Sequence, residues 1–146
     1  MNKQGPIVVV DDDPDDRHIL SAVFKELNYP NEIVLCDDGT EAYEYLVQDD
    51  VNPFFILSDV NMPRLDGFQL RNEVLGNPGL KLKCIPYLLI STSADQKTIL
   101  DAYNMSMQGY FVKPESYEEL KRTISVIVDF WQICYSPEDP IKESRM

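Results

Sequence analysis

Positive charge is scarce in this chain. Its 13 Lys and Arg face 25 Asp and Glu, a net charge of −12 over 146 residues. A nucleic-acid surface needs clustered Lys and Arg to neutralise phosphates, so that class of partner is excluded. Histidine is rarer still: His18 stands alone, at a position read as helix surface, and leaves no Ser–His or Cys–His pair for nucleophilic catalysis. Cys36, Cys84 and Cys134 are odd in number, far apart and lack a CxxC spacing. That pattern excludes a disulfide framework and fits a reduced compartment with unpaired, mostly packed thiols. No apolar run approaches the roughly 18 residues of a membrane-spanning helix. The first strand begins by Ile7, too early for a secretory signal to precede it. These absences predict a cytoplasmic protein that engages neither membrane nor nucleic acid.

What is present reads as one globular domain. Hydrophobic residues make up 44% and charged residues 26% of the chain, enough apolar material for a real core. Strand-like and helix-like stretches alternate five times. Residues 7–10 are an uninterrupted β-branched run, as expected of a parallel strand covered on both faces. Pro14 suits a first helical turn, with Asp15 and Asp16 near the positive end of the dipole. Ile19, Leu20, Val23, Phe24 and Leu27 then recur at helical spacing. Strands are expected at 32–36, 54–58, 86–90 and 110–112. Helices are expected after Asp38-Gly39, from about Gly67 to before Asn77-Pro78-Gly79, from Asp95 to about Met105, and from about Tyr117 to Cys134. Such a (βα)₅ pattern with short connections implies right-handed crossovers and a parallel, doubly wound sheet. The domain is expected over 1–135. Residues 136–146, with Pro137 and Pro140 against further helix, read as a short tail with no room for an effector domain.

Three apolar runs end on reactive groups. Ile7-Val8-Val9-Val10 runs into Asp11-Asp12-Asp13, Ile56-Leu57-Ser58 into Asp59, and Tyr110-Phe111-Val112 into Lys113-Pro114. Ligands of open α/β sheets bind at the carboxyl ends of the strands, so Asp11, Asp12, Asp59, Ser91 and Lys113 should collect at one edge. Carboxylates that close repel by about 4 kcal/mol per pair at 4 Å and an effective dielectric of 20. Either one takes up a proton or a cation neutralises them. Oxygen-only ligands favour Mg²⁺, with Mn²⁺ as a substitute. Lys113 is placed to hold a phosphate oxygen and Asp59 to act as nucleophile, forming an aspartyl phosphate by positioning and electrostatics. Asp13, Asp15 and Asp16 read as helix-start acids, and Asp66 as the cap of the helix at Gly67.

These residues stand in the order and spacing of a known family. The acidic pair Asp11-Asp12, the Asp59-Val60-Asn61-Met62-Pro63 loop with Asp66-Gly67, the hydroxyl residue Ser91 and Lys113-Pro114 make residues 5–134 resemble the receiver domain of two-component response regulators. The resemblance implies a flavodoxin-like five-stranded sheet of order 2-1-3-4-5. It implies Asp59 as phosphoacceptor, with the carboxylates of Asp12 and Asp59 and the Asn61 backbone carbonyl on the metal and Asp11 acting directly or through water. It implies that Lys113 and Ser91 engage the phosphoryl oxygens, and that a cis Lys113-Pro114 peptide aims the lysine. Tyr110 matches the family's aromatic switch position, which follows the Ser91 hydroxyl. Ser91 stands where threonine is commoner. Thr92 beside it competes for the role, but counting from Pro86 and back from Lys113 favours Ser91.

Two other readings of the Asp59 segment fail. An EF-hand loop would need a further ligand and a glycine where Pro63 and Arg64 stand. A haloacid-dehalogenase-like phosphatase would carry a second acid two residues after its nucleophile, and this chain has Asn61. Without that proton shuttle the phosphoryl group should persist as a signal.

The last helix carries two apolar stripes. Leu120, Ile124, Ile127 and Trp131 should pack on the sheet, whereas Val126, Phe130 and Ile133 form a second stripe that is a candidate dimer face. Its Phe130-Trp131 ending resembles that of stand-alone regulators accompanying bacterial phytochrome-type sensor kinases, some of which dimerise. The function expected is that of a single-domain response regulator, not an enzyme with a separate substrate. Asp59 would take phosphoryl from a sensor histidine kinase, catalysed within its own Mg²⁺ site. The modification would then switch the face made by the helix at 95–105, the strand at 110–112 and the last helix, for partner binding or self-association. The alternative is a relay shuttle that hands the phosphoryl group to a histidine phosphotransfer protein.

Overall fold

The computed structural model describes residues 1–137. In chain order the elements are β1 (Ile7–Val10), α1 (Pro14–Leu27), β2 (Ile33–Cys36), α2 (Gly39–Leu46), β3 (Phe55–Ser58) and α3 (Gly67–Gly76). There follow α4 (Pro78–Leu82), β4 (Tyr87–Ser91), α5 (Gln96–Asn104), β5 (Gly109–Val112) and α6 (Tyr117–Ile133). All five strands are parallel, in the order β2-β1-β3-β4-β5. The expected flavodoxin-like order is therefore the observed one.

The alternation of side chains across the sheet divides the core in two. Val8, Val10, Ile56, Tyr87 and Leu89 pack against Ala42 and Leu46 of α2, Leu70 and Val74 of α3 and Ala102 of α5. On the other face Ile7, Val9, Phe55, Leu57, Leu88 and Ile90 meet Leu20, Val23 and Phe24 of α1 and Leu120, Ile124, Ile127 and Val128 of α6. Burial on both faces is why these strands read as unbroken apolar runs. Helix starts follow local chemistry: Asp13, Asp38, Asp66, Asp95 and Ser116 each cap a helix with a side-chain oxygen. Asp66 and Gln69 form a reciprocal capping box.

One helix was not expected. Asn77-Pro78-Gly79 reads as a break, yet Asn77 accepts a hydrogen bond from the Leu80 amide at 3.1 Å and starts the five-residue α4 with Pro78 in its first turn. The same residues that stop one helix start another. The cysteines also differ in part from expectation: Cys36 is buried and Cys134 half-buried, but Cys84 is exposed. Burial pushes the Cys36 thiol up to about 12, which keeps it protonated and inert. His18 is exposed on α1, as read. No helix of the described residues is long and apolar enough to cross a membrane. Most of the expected tail, residues 138–146, lies outside the described residues.

The turn after α5 has no glycine, although Ser106 adopts a positive φ of 57°. Arg71 of α3 supports it. Its guanidinium donates to the carbonyls of Met105 at 3.2 Å and Ser106 at 2.7 Å, and lies 5.4 Å from the Tyr87 ring centroid. A cation on the last carbonyls of a helix satisfies groups that would otherwise lack partners.

Candidate functional site

The parallel register places the reactive residues side by side. Val10 pairs with Cys36 and Ser58, and Ser91 pairs with Val112. The next residues continue the ladder: Asp11 N–H donates to Cys36 O, Asp59 N–H to Val10 O and Lys113 N–H to Ser91 O. Asp11, Asp59 and Lys113 are thus the first residues beyond their strands, at one edge of the sheet. Gly67 lets the loop after Asp59 fold tightly back. A Cβ there would lie 2.4 Å from the Asp59 carbonyl oxygen, so any larger residue would push the Asp59 backbone aside.

One ammonium holds the cluster together. Lys113 Nζ lies 2.8 Å from Asp11 Oδ2, 2.9 Å from Asp16 Oδ2 and 3.3 Å from Asp59 Oδ2. The Lys113 and Asp11 side chains are 12% and 1% exposed, so this pair is shielded from water. Burial works to lower the Lys113 pKa, but hydrogen bonds to Asp11 and Asp16 and the charges of Asp11 and Asp59 outweigh it and hold the ammonium above its ordinary range. Burial pushes the Asp11 carboxyl above the usual carboxylate range. The Lys113 hydrogen bond and charge and the Asp13 amide oppose that rise, and the Asp59 charge adds to it. All peptide bonds of the described residues are trans, so the cis Lys113-Pro114 bond implied by the resemblance is not found. The flexible lysine stem reaches the carboxylates from a trans backbone, and the ion pairs aim it.

Asp11, Asp12 and Asp59 each offer a carboxylate oxygen, all within 4.8 Å of one another. Three hard oxygen donors at that spacing match the chemistry of a hard divalent cation. The residues present therefore fit such an ion. Asn61 lies in the exposed loop just beyond Asp59. Ser91 is buried at the end of β4, where its Oγ accepts from the Ser93 amide at 3.2 Å, whereas Thr92 is exposed. That placement favours Ser91 over Thr92 as the hydroxyl facing the strand ends. Tyr110 is half-buried and donates to the Ser93 carbonyl at 2.8 Å, so the two expected switch residues meet on the same short loop. Asp66 caps α3, as read.

Asp16 is the residue that sequence reasoning missed. It stands in the first turn of α1, as read, and also ion-pairs with Lys113. No sequence signal sets it apart from Asp15, because its partner stands 97 positions away. Two arginines also escaped notice: Arg17 donates to the Asp11 carbonyl at 2.6 Å, and Arg64, at a φ of 64°, pairs with the buried Asp38.

Comparison with known proteins agrees with this architecture. The family model of the response regulator receiver domain matches residues 7–125. Chemotaxis protein CheY-3 of Vibrio cholerae is 30% identical over 88% of this chain and 95% of its own length. Response regulator Rcp1 of Synechocystis is 28% identical over 89% of this chain and 90% of its own. The crystal structure of the phosphorylated cyanobacterial phytochrome response regulator RcpA superposes with a TM-score of 0.81, at 28% identity over 92% of this chain and 98% of that one. The manganese-bound form of Rcp1 superposes at 0.76, with 26% identity over 90% of this chain and 96% of that one. Fold and sequence together define a receiver, the phosphoacceptor module of two-component signalling that works with sensor histidine kinases. The chain belongs to the response regulator receiver family.

Proposed function

We propose that this protein is a single-domain response regulator that accepts a phosphoryl group on Asp59 from the phosphohistidine of a sensor kinase, with Mg²⁺ required and Mn²⁺ able to replace it. The observation that carries the reading is the convergence of Lys113 Nζ on Asp11 and Asp59 beside the three-carboxylate cluster. Asp59 has a shape suited to attack: its Oδ1 is fixed by the Val60 amide at 2.7 Å, while Oδ2 faces the ammonium. A carboxylate oxygen of Asp59 forms the new bond to phosphorus as the bond to the donor nitrogen breaks, and no proton must leave the nucleophile. Lys113 then compensates the added negative charge. Asp11, Asp12, Asp59 and the Asn61 carbonyl would hold the cation, which supplies charge neutralisation when bound. Beside Lys113 and Asp16 lies a cleft of about 360 Å³ floored by Leu20, Ile90 and Leu120 and walled by Ile19, Pro114 and Tyr117, an apolar seat for the donor domain.

Phosphorylation would draw the Ser91 hydroxyl toward Asp59. The Ser91–Ser93 and Tyr110–Ser93 hydrogen bonds would pass that movement to the α5–β5–α6 face, shifting a two-state balance. Val126, Phe130 and Ile133 of α6 are 60%, 54% and 76% exposed, which favours self-association as one output. Acetyl phosphate with Mg²⁺ should add the mass of one phosphoryl group to the intact protein. Asp59→Asn should abolish the addition; an unmodified wild-type protein, or equal labelling of the variant, refutes the assignment.

A further inference from the structure

Lys113 has three N–H donors, and in this structure three carboxylates share them. Two of those acceptors belong to the site as described. The third, Asp16, comes from the first turn of α1. It sits closer to the ammonium than Asp59 does, 2.9 Å against 3.3 Å. The three are unequal in what they lose on release. Asp11 is 1% exposed and has no water to turn to, whereas Asp16 is 35% exposed and can be rehydrated where it stands. A phosphoryl group arriving on Asp59 needs a donor from Lys113 and brings further negative charge toward Asp16. The contact that yields is therefore the Asp16 contact.

Resting on the assignment of Asp59 as phosphoacceptor, we infer that Asp16 is a latch on Lys113: it ties up one lysine donor and adds one negative charge at the mouth of the site, and so slows phosphorylation of Asp59. Asp16 touches neither the phosphoryl group nor the nucleophile. It acts through Lys113, and is a positioning residue. The dephosphorylated state keeps the latch; the phosphorylated state needs it open. Electrostatics gives the direction. Removing one carboxylate from beside a site that must receive a phosphate anion raises the local potential and frees the lysine donor, and both effects favour transfer.

The test compares wild type, Asp16→Asn and Asp16→Glu with acetyl phosphate at saturating Mg²⁺. Phosphorus is transferred from the acetyl oxygen to an Asp59 carboxylate oxygen, and acetate leaves. Asp16→Asn should be phosphorylated about 3- to 10-fold faster than wild type. Its rate should also fall more steeply as sodium chloride is raised, because salt no longer has a repulsion at residue 16 to screen and only weakens attraction. Asp16→Glu, which restores the charge, should return toward the wild-type rate, an outcome that a merely structural role of residue 16 would not give. A urea midpoint within a few tenths molar of wild type confirms that Asp16→Asn is folded. Equal rates in all three proteins overturn the latch, as does a slower Asp16→Asn, which would make Asp16 an aid to transfer. Absence of labelling in all three overturns the phosphoacceptor assignment and the latch with it, whereas labelled wild type with unchanged Asp16→Asn overturns the latch alone.

Discussion

Replacing Lys113 by methionine keeps the length of the side chain and removes the charge that neutralises the cluster. At an effective dielectric of 20, the contacts at 2.8, 2.9 and 3.3 Å correspond to gross attractions of about 6, 6 and 5 kcal/mol. Most of that is offset by the cost of drying the charges, and Asp16 regains water when released. What remains is dominated by Asp11, a buried carboxylate left without a partner. Breaking such a pair costs about 3–5 kcal/mol. Protonation of Asp11 sets a ceiling of similar size, because neutralising a carboxyl at pH 7.5 from an unfolded pKa near 3.9 costs about 5 kcal/mol.

Urea denaturation at pH 7.5 without divalent ions should therefore show Lys113→Met less stable by roughly 3–5 kcal/mol. In the variant the folded pKa of Asp11 rises further above its unfolded value. A group of that kind destabilises above the unfolded pKa, and the deficit shrinks as pH falls. Repeating the titration at pH 5.5 should close the gap by up to about 1.4 kcal/mol per pH unit. Millimolar magnesium should also stabilise the variant more than wild type, because the ion no longer competes with an ammonium. A variant as stable as wild type at pH 7.5, or a deficit that ignores both pH and magnesium, would refute this account of the site.

Other perturbations separate the remaining interactions. Asp59→Asn removes a carboxylate within 4.8 Å of two others while losing one lysine contact; at a dielectric of about 20 the gross repulsion relieved outweighs the attraction lost by about 2 kcal/mol, so its melting temperature in EDTA should exceed that of wild type and respond less to magnesium. Asp38→Ala deletes the cap of α2 and the partner of Arg64, and should cost about 1–2 kcal/mol by urea denaturation at pH 7. Burial works to raise the Asp38 pKa, but the Glu41 amide and Arg64 outweigh it and hold the carboxyl low. Its contribution is thus present above the unfolded pKa and lost as pH falls through the folded one, so wild type and variant should converge below about pH 4. Arg71→Met leaves the Met105 and Ser106 carbonyls without their donor. It should cost about 1–3 kcal/mol and speed amide exchange at residues 102–108, measured by mass spectrometry.

Much of this molecule was legible in one dimension because its signals are local. An apolar run between turn residues defines a strand, and an aspartate before a helical stretch defines its start; neither needs knowledge of what lies across the sheet. The reactive edge was legible for the same reason: in a parallel sheet every strand points the same way, so Asp11, Asp59 and Lys113, each following a strand, must meet at one end. The segment at Asn77-Pro78 was harder, since it serves equally to end α3 and to begin α4, whose Leu80 is buried in the core.

What tertiary structure alone decided concerns partners. Asp16 and Asp15 are indistinguishable as helix-start acids, but the angle at which α1 leaves β1 brings only one of them to Lys113. Arg71 finds its acceptors, the Met105 and Ser106 carbonyls, only once the turn after α5 is docked. The exposure of Cys84 is likewise a property of the folded chain. Backbone preference is set by adjacent residues and survives reading in sequence. The choice of which charge answers which is set by distances of about 3 Å between segments up to 102 positions apart, and exists only once the chain is folded.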